Sequence, residues 1–305
     1  MENQDKRKNH NQNLMKLVKA LHDLTICEDL QKQRRSQEKL GKLFGTKNSE
    51  AAYTEFAADT ISCEWVRPAR PHQTSDMILY CHGGGFCTGS LKYARTLTTK
   101  LALAASMDVL SFNYRLAPEH PAPAALEDAL KVWDYLMLLG YDAKNITVCG
   151  DSAGGNLALV LGLKLKEERR ALPRSFVLFS PWTDLTLTSP SHAEKAELDP
   201  ILTMEYLKSA REAYVPEGIS KEAVYKNPDV SPLFGDHTGF PPVYIQAGSN
   251  EILLDDSAGL QKKLAKQHVS AKIDIYEGMW HVFQMSNMKT ANRAICQAVQ
   301  FILDA

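Results

Sequence analysis

The segment from Gly150 to Gly155 constrains the fold of this chain more than any other feature. It reads Gly-Asp-Ser-Ala-Gly-Gly and fits G-x-S-x-G, the pattern of a sharp turn from a strand into a helix. A β-prone run at 145–149 precedes it, and a helix-forming run begins at Asn156. Because small residues let strand and helix approach closely, the pattern predicts that Ser152 holds its hydroxyl clear of a sheet.

The rest of the chain alternates strand patterns with helix patterns. Alternating residues at 53–66 predict antiparallel strands, and helical runs of roughly 10–15 residues separate most of the later β-prone runs. These later runs lie at 77–81, 108–114, 175–179, 243–246 and 272–276. Such an order is typical of the α/β class, with a mostly parallel central sheet that is flanked by helices on both faces.

Two stretches fall outside this alternation. Leu14, Leu17 and Leu21 recur at helical spacing near the N-terminus, and the stretch from 183 to 232 contains helical pieces but no strand pattern. We interpret them together as a helical cap; the alternative for the insertion is a decorated surface loop. The predicted divisions are an N-terminal cap part (1–48), a first core part (49–184), a cap insertion (185–230) and a second core part (231–305).

Composition excludes several classes of partner. The formal net charge is −1 over 305 residues, so no overall field attracts nucleic acid or an anionic membrane. No stretch approaches the roughly 18 apolar residues of a membrane span, and the chain opens with polar residues, which predicts no stable membrane insertion. The six cysteines show no disulfide or metal-ligand spacing. We therefore expect a soluble cytoplasmic protein that holds no metal.

Serine hydrolysis needs a nucleophile, a base, an orienting acid and donors for the developing oxyanion. Ser152 is the candidate nucleophile, and the order Ser, Asp or Glu, His is expected of a serine that follows this kind of turn. Only His268 and His281 lie late enough to be the base. His268 falls at a predicted helix end, where a cation favours the helix dipole. The catalytic interpretation therefore suits His281, which follows the predicted strand 272–276.

The acid is expected just after the predicted strand 243–246. Glu251 and Asp255 are the candidates there, because Asn250 carries no charge that stabilises an imidazolium. Asp255 and Asp256 resemble first-turn acids that complement a helix N-terminus. Glu251 lies nearer the strand end, and we favour it.

The run His82-Gly83-Gly84-Gly85-Phe86 supplies candidate oxyanion donors. It follows the predicted strand 77–81, and its glycines let backbone N–H groups point at one substrate oxygen. The amides of Gly84, Gly85 and Ala153 would form a three-donor hole. No G-x-x-x-x-G-K-[ST] or G-x-G-x-x-G pattern follows, which argues against a nucleotide site.

Together the motifs resemble the hormone-sensitive-lipase family of α/β-hydrolase esterases. The resemblance rests on HGGGF (82–86), YRLAPEHP (114–121), GDSAGG (150–155), SPWTDL (180–185) and GMWH (278–281). It implies an α/β-hydrolase fold with a helical cap. It also implies hydrolysis of a small-molecule ester with a short to medium acyl chain, without a cofactor. The family carries Asp-Pro-Leu at the acid; aligning Leu253 and Asp255 with its landmarks puts Glu251 on the catalytic aspartate.

Further roles follow from the same segments. We expect His82 to brace the glycine loop, residues 114–119 to anchor that loop from behind, and Phe86 and Trp182 to line the acyl or alcohol pocket. A C-terminal helix and an exposed strand edge suggest a homodimer. Two alternatives stay open: an amidase, thioesterase or lactonase on the same triad, and a non-catalytic small-molecule receptor, which has no need of His281.

Overall fold

The structure is a computed structural model that describes residues 47–73, 75–216 and 221–305. It also describes six residues nearer the N-terminus: Met15, Lys19, Leu30, Lys32, Arg34 and Arg35. The predicted helical stretch at Leu14, Leu17 and Leu21 lies outside the described residues, except for Met15 and Lys19.

The described chain forms one eight-stranded sheet with the order β1-β2-β4-β3-β5-β6-β7-β8. The first two strands form an antiparallel hairpin, and β2 pairs antiparallel with β4. All other pairs are parallel, which confirms the predicted α/β class. In chain order the strands are β1 (Ala51–Ala58), β2 (Ile61–Pro68), β3 (Met77–Cys81), β4 (Asp108–Phe112), β5 (Ile146–Asp151), β6 (Ser175–Phe179), β7 (Val243–Gly248) and β8 (Ala271–Tyr276).

Helices separate the parallel strands, as the sequence pattern predicts. The first begins at Leu91, where the Ser90 side chain caps it by accepting a hydrogen bond from the Tyr93 amide. The helices of the described chain are α1 (Leu91–Ala105), α2 (Ala124–Leu138), α3 (Ala153–Glu167), α4 (Ser191–Glu194), α5 (Met204–Tyr214), α6 (Lys221–Tyr225), α7 (Leu254–Lys266) and α8 (Lys289–Asp304).

Burial on both faces explains the continuous apolar runs of the central strands. All residues within the five strands β3 to β7 are buried, as expected of parallel strands that helices cover on both sides. Alternate side chains divide between two cores: Leu79 packs with α2, α3 and α7, whereas Ile78 packs with α1 and α8. Burying each such aliphatic side chain stabilises the fold by about 1.5–3 kcal/mol.

Between β6 and β7, the structure shows only helices in the residues that it describes. These are α4, α5 and α6, together with a 3₁₀ turn at Pro232–Phe234, in agreement with the predicted helical insertion. None of the helices in the described ranges is long and apolar enough to cross a bilayer.

The parallel strands all point their carboxyl ends at one edge of the sheet. The loops that follow β3, β5, β6, β7 and β8 therefore meet along this edge, where α/β proteins bind their ligands. Every residue predicted for the site lies in one of these loops or in the helix that begins there.

Candidate active site

Ser152 lies at the turn between β5 and α3, as the motif predicts. Its backbone has φ 54° and ψ −122°, a combination that residues other than glycine rarely adopt. The Ser152 amide donates to the Phe179 carbonyl over 2.9 Å, which ties the turn to β6. The residue keeps 7 % of its surface exposed. A strained but anchored turn therefore holds the serine at the carboxyl edge of the sheet.

The glycine at Gly154 is required by a close approach of backbones. A Cβ placed there would lie 2.1 Å from the Cys81 carbonyl oxygen, at the end of β3. Because that atom is backbone, it cannot move aside without shifting the strand. The small residue lets α3 begin directly against the sheet, which is what the sequence pattern implies.

The glycine loop after β3 carries two of the predicted oxyanion donors. Gly84 has φ 113° and Gly85 has φ 61°, so the loop turns through a region that favours glycine. In the described part of the chain, the amides of Gly84, Gly85 and Ala153 donate to no protein acceptor. Ala153 also opens α3, where the helix dipole favours negative charge.

Asp151 fixes the glycine loop to the nucleophile turn. Its carboxylate accepts hydrogen bonds from the Tyr80 hydroxyl (2.6 Å), the Tyr93 hydroxyl (2.7 Å) and the Gly83 amide (2.9 Å). Burial raises the pKa of Asp151 to about 6, while these hydrogen bonds act in the opposite direction. The sequence interpretation gave this residue no role, although it stands next to the serine in the motif.

His82 braces the glycine loop, as expected. Its ring stacks on Tyr114 with centroids 4.2 Å apart, and Nδ1 lies 2.7 Å from the Gly83 carbonyl. The Tyr114 hydroxyl donates to the His82 carbonyl. Burial lowers the pKa of His82 to about 4, so the ring is neutral at physiological pH. These contacts give His82 and Tyr114 supporting positions behind the loop.

The segment 114–119 anchors the loop from behind. The Ala117 amide donates to the Phe86 carbonyl over 2.9 Å. Arg34 then spans the two segments: its guanidinium donates to the carbonyls of Cys87 and Ala117 and pairs with both oxygens of Glu119. A residue from the predicted N-terminal cap part thus contacts Cys87, which directly follows the glycine loop.

The predicted pocket residues, Phe86 and Trp182, are both buried beside the site. Phe86 stacks on Tyr214 of α5, with centroids 3.7 Å apart and rings inclined by 4°. The Trp182 amide donates to the Ser152 carbonyl over 3.1 Å. The structure therefore brings both residues next to the nucleophile turn or the glycine loop, with most of each ring covered by protein.

Glu251 is fully buried in the loop after β7. One carboxylate oxygen, Oε2, accepts hydrogen bonds from the Ser180 hydroxyl (2.7 Å) and the Gly248 amide (2.8 Å). Burial raises the pKa of Glu251 to about 8, the two hydrogen bonds oppose that rise, and the carboxylates of Asp199 and Asp256 add to it. A strongly perturbed pKa at the edge of the sheet is typical of a functional carboxylate.

Asp255, the alternative acid, lies in a different environment. It occupies the first turn of α7, as the sequence indicates, and is partly exposed. Its Oδ2 accepts a hydrogen bond from the Ser191 amide over 2.8 Å, so it binds the start of α4 in the insertion. Its neighbour Asp256 likewise binds the amides of Thr183 and Asp184. Both contacts are directed towards the insertion.

His281 lies in the loop after β8, and 5 % of its surface is exposed. This loop and the Glu251 loop are joined by backbone hydrogen bonds: Ser249 donates to the Tyr276 carbonyl, and Asn250 donates to the Met279 carbonyl. The other late histidine, His268, precedes β8 and therefore lies towards the opposite end of that strand. Of the two predicted alternatives, only His281 lies at the edge that carries Ser152 and Glu251.

Comparison with known proteins gives one consistent answer. The profile of the family described as "alpha/beta hydrolase fold" matches residues 78–285. An esterase of Acinetobacter venetianus is 40 % identical over 229 residues, covering 74 % of each chain. An acetyl-hydrolase of Streptomyces hygroscopicus is 35 % identical over 246 residues and 80 % of each chain.

Solved structures agree with these relatives. A hormone-sensitive lipase from a metagenome library superposes with a TM-score of 0.89 at 32 % identity. The match covers 96 % of this chain and 97 % of that one. The serine turn, the glycine loop and the sheet order agree with these similarities. The chain belongs to the α/β-hydrolase fold family, as an ester hydrolase of its hormone-sensitive-lipase branch.

Proposed function

We propose that this protein hydrolyses short- to medium-chain carboxylic esters with Ser152 as nucleophile, His281 as base and Glu251 as acid. The observation that carries the proposal is the convergence of three loops at one sheet edge, with the Glu251 and His281 loops hydrogen-bonded to each other. The name of the Streptomyces relative, an acetyl-hydrolase, supports a short acyl group.

The proposed reaction proceeds through an acyl-enzyme. His281 takes the proton of the Ser152 hydroxyl while Oγ forms a bond to the ester carbonyl carbon, and the carbonyl electrons move to its oxygen. When the tetrahedral intermediate collapses, the bond to the alcohol oxygen breaks, and that oxygen takes the proton from His281. Water then repeats the two steps and releases the acid. In each half of the reaction, Glu251 stabilises the His281 imidazolium that exists after His281 takes a proton and before it gives that proton up.

The hydrogen bonds of Glu251 support this division of labour. Oε2 is occupied by two donors, whereas Oε1 is buried and makes no hydrogen bond with the described residues. A buried carboxylate oxygen normally has a partner. We propose that in the reacting state Oε1 accepts a hydrogen bond from the Nδ1–H of His281, which would fix the ring so that its other nitrogen faces the serine.

The oxyanion would be bound by the amides of Gly84, Gly85 and Ala153. These donors have no protein acceptor in the described chain, and Asp151 holds the glycine loop against the serine turn. Preorganised donors of this kind cost no reorganisation when the charge develops, and each is worth about 10²–10³ in kcat.

We propose that α4 to α6 and the N-terminal residues form a cap over this site. A Cβ placed on Gly85 would lie 2.6 Å from the Tyr206 hydroxyl, so α5 packs directly against the glycine loop. Met15 lies 3.4 Å from the Asn250 side chain, beside Glu251. In this arrangement Phe86 and Trp182 form the pocket wall, with Tyr214 of the cap supporting Phe86.

We also propose a homodimer and a cytoplasmic location. The edge strand β8 has one unpaired side, and Ile275 on it is 49 % exposed, which suits pairing with a second copy. Sedimentation analysis tests this, since a purely monomeric species would contradict it. The cysteines of the described residues are all free, as in a reducing compartment; secretion in an oxidised form would contradict the location.

One experiment tests the activity and the nucleophile together. Initial rates on p-nitrophenyl esters of increasing chain length should be highest for short to medium acyl groups and fall for long ones. A fluorophosphonate should label Ser152, as mapped by peptide mass spectrometry, and Ser152→Ala should abolish both turnover and labelling. Labelling at another residue would contradict the assignment of Ser152 as nucleophile. Faster cleavage of a matched amide, thioester or lactone than of the ester would favour one of the other hydrolases. Absence of labelling would favour a non-catalytic receptor.

A further inference from the structure

Three loops of the proposed site meet at the hydroxyl of Ser180, the first residue after β6. Its Oγ donates to Glu251 Oε2 over 2.7 Å and accepts a hydrogen bond from the Val282 amide over 3.1 Å. Val282 directly follows His281. A single hydroxyl therefore connects the loop of the proposed acid with the loop of the proposed base.

We propose that Ser180 is a positioning residue that sets the geometry of the Glu251–His281 pair. The inference rests on the proposed triad and goes beyond it, since Ser180 is not one of the three triad residues and binds Glu251 and Val282. A hydroxyl has one proton and two acceptor lone pairs. Here the proton is directed at the carboxylate and a lone pair receives the amide, so the orientation of the hydroxyl is determined by both loops.

The backbone of Ser180 is held as firmly as its side chain. The residue is fully buried, and its amide donates to the Gln246 carbonyl over 2.8 Å. Its φ of 49° lies in the left-handed region, which a residue with a side chain adopts only where its surroundings require it. Backbone strain of this kind, at a point where two loops of the proposed site meet, indicates that the fold keeps the Ser180 hydroxyl in this position.

Glutamate makes such a support necessary. Its side chain has one more rotatable bond than aspartate, so its carboxylate can occupy more positions within a given loop. The hydrogen bonds from Ser180 and Gly248 fix Oε2 from two elements, which leaves a single orientation for Oε1. Small displacements of a catalytic group cost large factors in rate, about 10²-fold for an error of about 1 Å.

The test is a double-mutant cycle with Ser180→Gly and Glu251→Gln. Glycine removes the hydroxyl but tolerates the positive φ, so the variant keeps the backbone of the parent. Alone, Ser180→Gly should lower kcat by about 10- to 100-fold with little change in KM, because it removes a hydrogen bond that fixes the Glu251 carboxyl. In the Glu251→Gln background the same change should cost less than about threefold, because it acts through the carboxylate.

Ser175→Ala is the matched control, since Ser175 is a buried serine at the start of β6, the strand that leads to Ser180, and its hydroxyl pairs with Thr147, away from the site. It should leave kcat unchanged. An unchanged kcat in Ser180→Gly, or an equal loss in both backgrounds, would overturn the proposal. If instead Glu251→Gln itself keeps the turnover of the parent, the triad assignment fails. Thermal melting of each variant verifies that it is folded.

Discussion

At the scale of single residues, the burial of Glu251 lowers the stability of the folded protein when its carboxyl is ionised. The carboxyl is fully buried, and its pKa is raised from 4.5 to about 8, mainly by burial. Between pH 4.5 and about pH 8, the Glu251 carboxyl is protonated in the folded protein and ionised in the unfolded chain. Stability therefore falls as pH rises through this window, because the folded state binds more protons there. The ionised form that the proposed mechanism needs is the form that the interior disfavours.

Replacing Glu251 with glutamine should therefore stabilise the protein at alkaline pH. We expect Glu251→Gln to exceed the parent in free energy of unfolding by on the order of 2–4 kcal/mol at pH 8.5, with the difference shrinking as pH approaches 4.5. Urea unfolding across this pH range measures it. Ser175→Ala, which removes no ionisable group, should keep the pH dependence of the parent. A difference between Glu251→Gln and the parent that is independent of pH would contradict the account.

At the scale of elements, the acid loop is held from two sides. The His281 loop binds it through backbone hydrogen bonds, and the insertion binds it through Asp199, whose Oδ2 accepts from the Ile252 amide over 2.9 Å. The Ser191 hydroxyl at the start of α4 donates to the Ile252 carbonyl. The helical insertion thus supports the loop that carries Glu251.

At Gly248, the acid loop and the His281 loop lie so close together that no side chain fits between them. A Cβ placed there would lie 2.4 Å from the Met279 carbonyl oxygen, so Gly248→Ala must push the acid and base loops apart. We expect kcat to fall by about 10²-fold and the melting temperature to fall as well. Steady-state kinetics on p-nitrophenyl butyrate measures the first effect.

The matched control for this change is Gly259→Ala. Gly259 lies inside α7, and the nearest atom to an added Cβ is 3.7 Å away. That substitution should leave kcat unchanged and stabilise the fold by about 0.5–1 kcal/mol, since alanine favours a helix. Parental kcat in Gly248→Ala would show that the loops need not touch.

At the scale of the whole molecule, periodicity and motifs predicted the architecture. Continuous apolar runs become strands buried on both faces, and the strand at 175–179 has the predicted bounds because turn-forming residues surround it. The positions of Ser152, Glu251 and His281 follow from the same logic, since each comes after a core strand. Because these strands are parallel, their carboxyl ends lie at one edge of the sheet and bring the three residues together there. No prediction of contacts between distant residues is needed.

The supporting residues were not predictable in the same way. Asp151, Ser180 and Asp199 hold the functional loops through side-chain hydrogen bonds between residues that lie far apart in sequence. No periodicity marks such a contact, because it depends on how the loops fold after the sheet has formed. Most of the predicted N-terminal helical stretch lies outside the described residues, and the proposed cap is supported by the contacts of Met15 and Arg34.

The central claim is that Glu251 orients His281, which activates Ser152. The most direct test compares kcat on p-nitrophenyl butyrate for Glu251→Gln and Asp255→Asn, with the fraction of active sites counted by fluorophosphonate labelling. The account predicts that Glu251→Gln loses about 10³- to 10⁴-fold in kcat, as truncation of an orienting acid does, while Asp255→Asn stays within a few-fold of the parent. A larger loss in Asp255→Asn than in Glu251→Gln would contradict it.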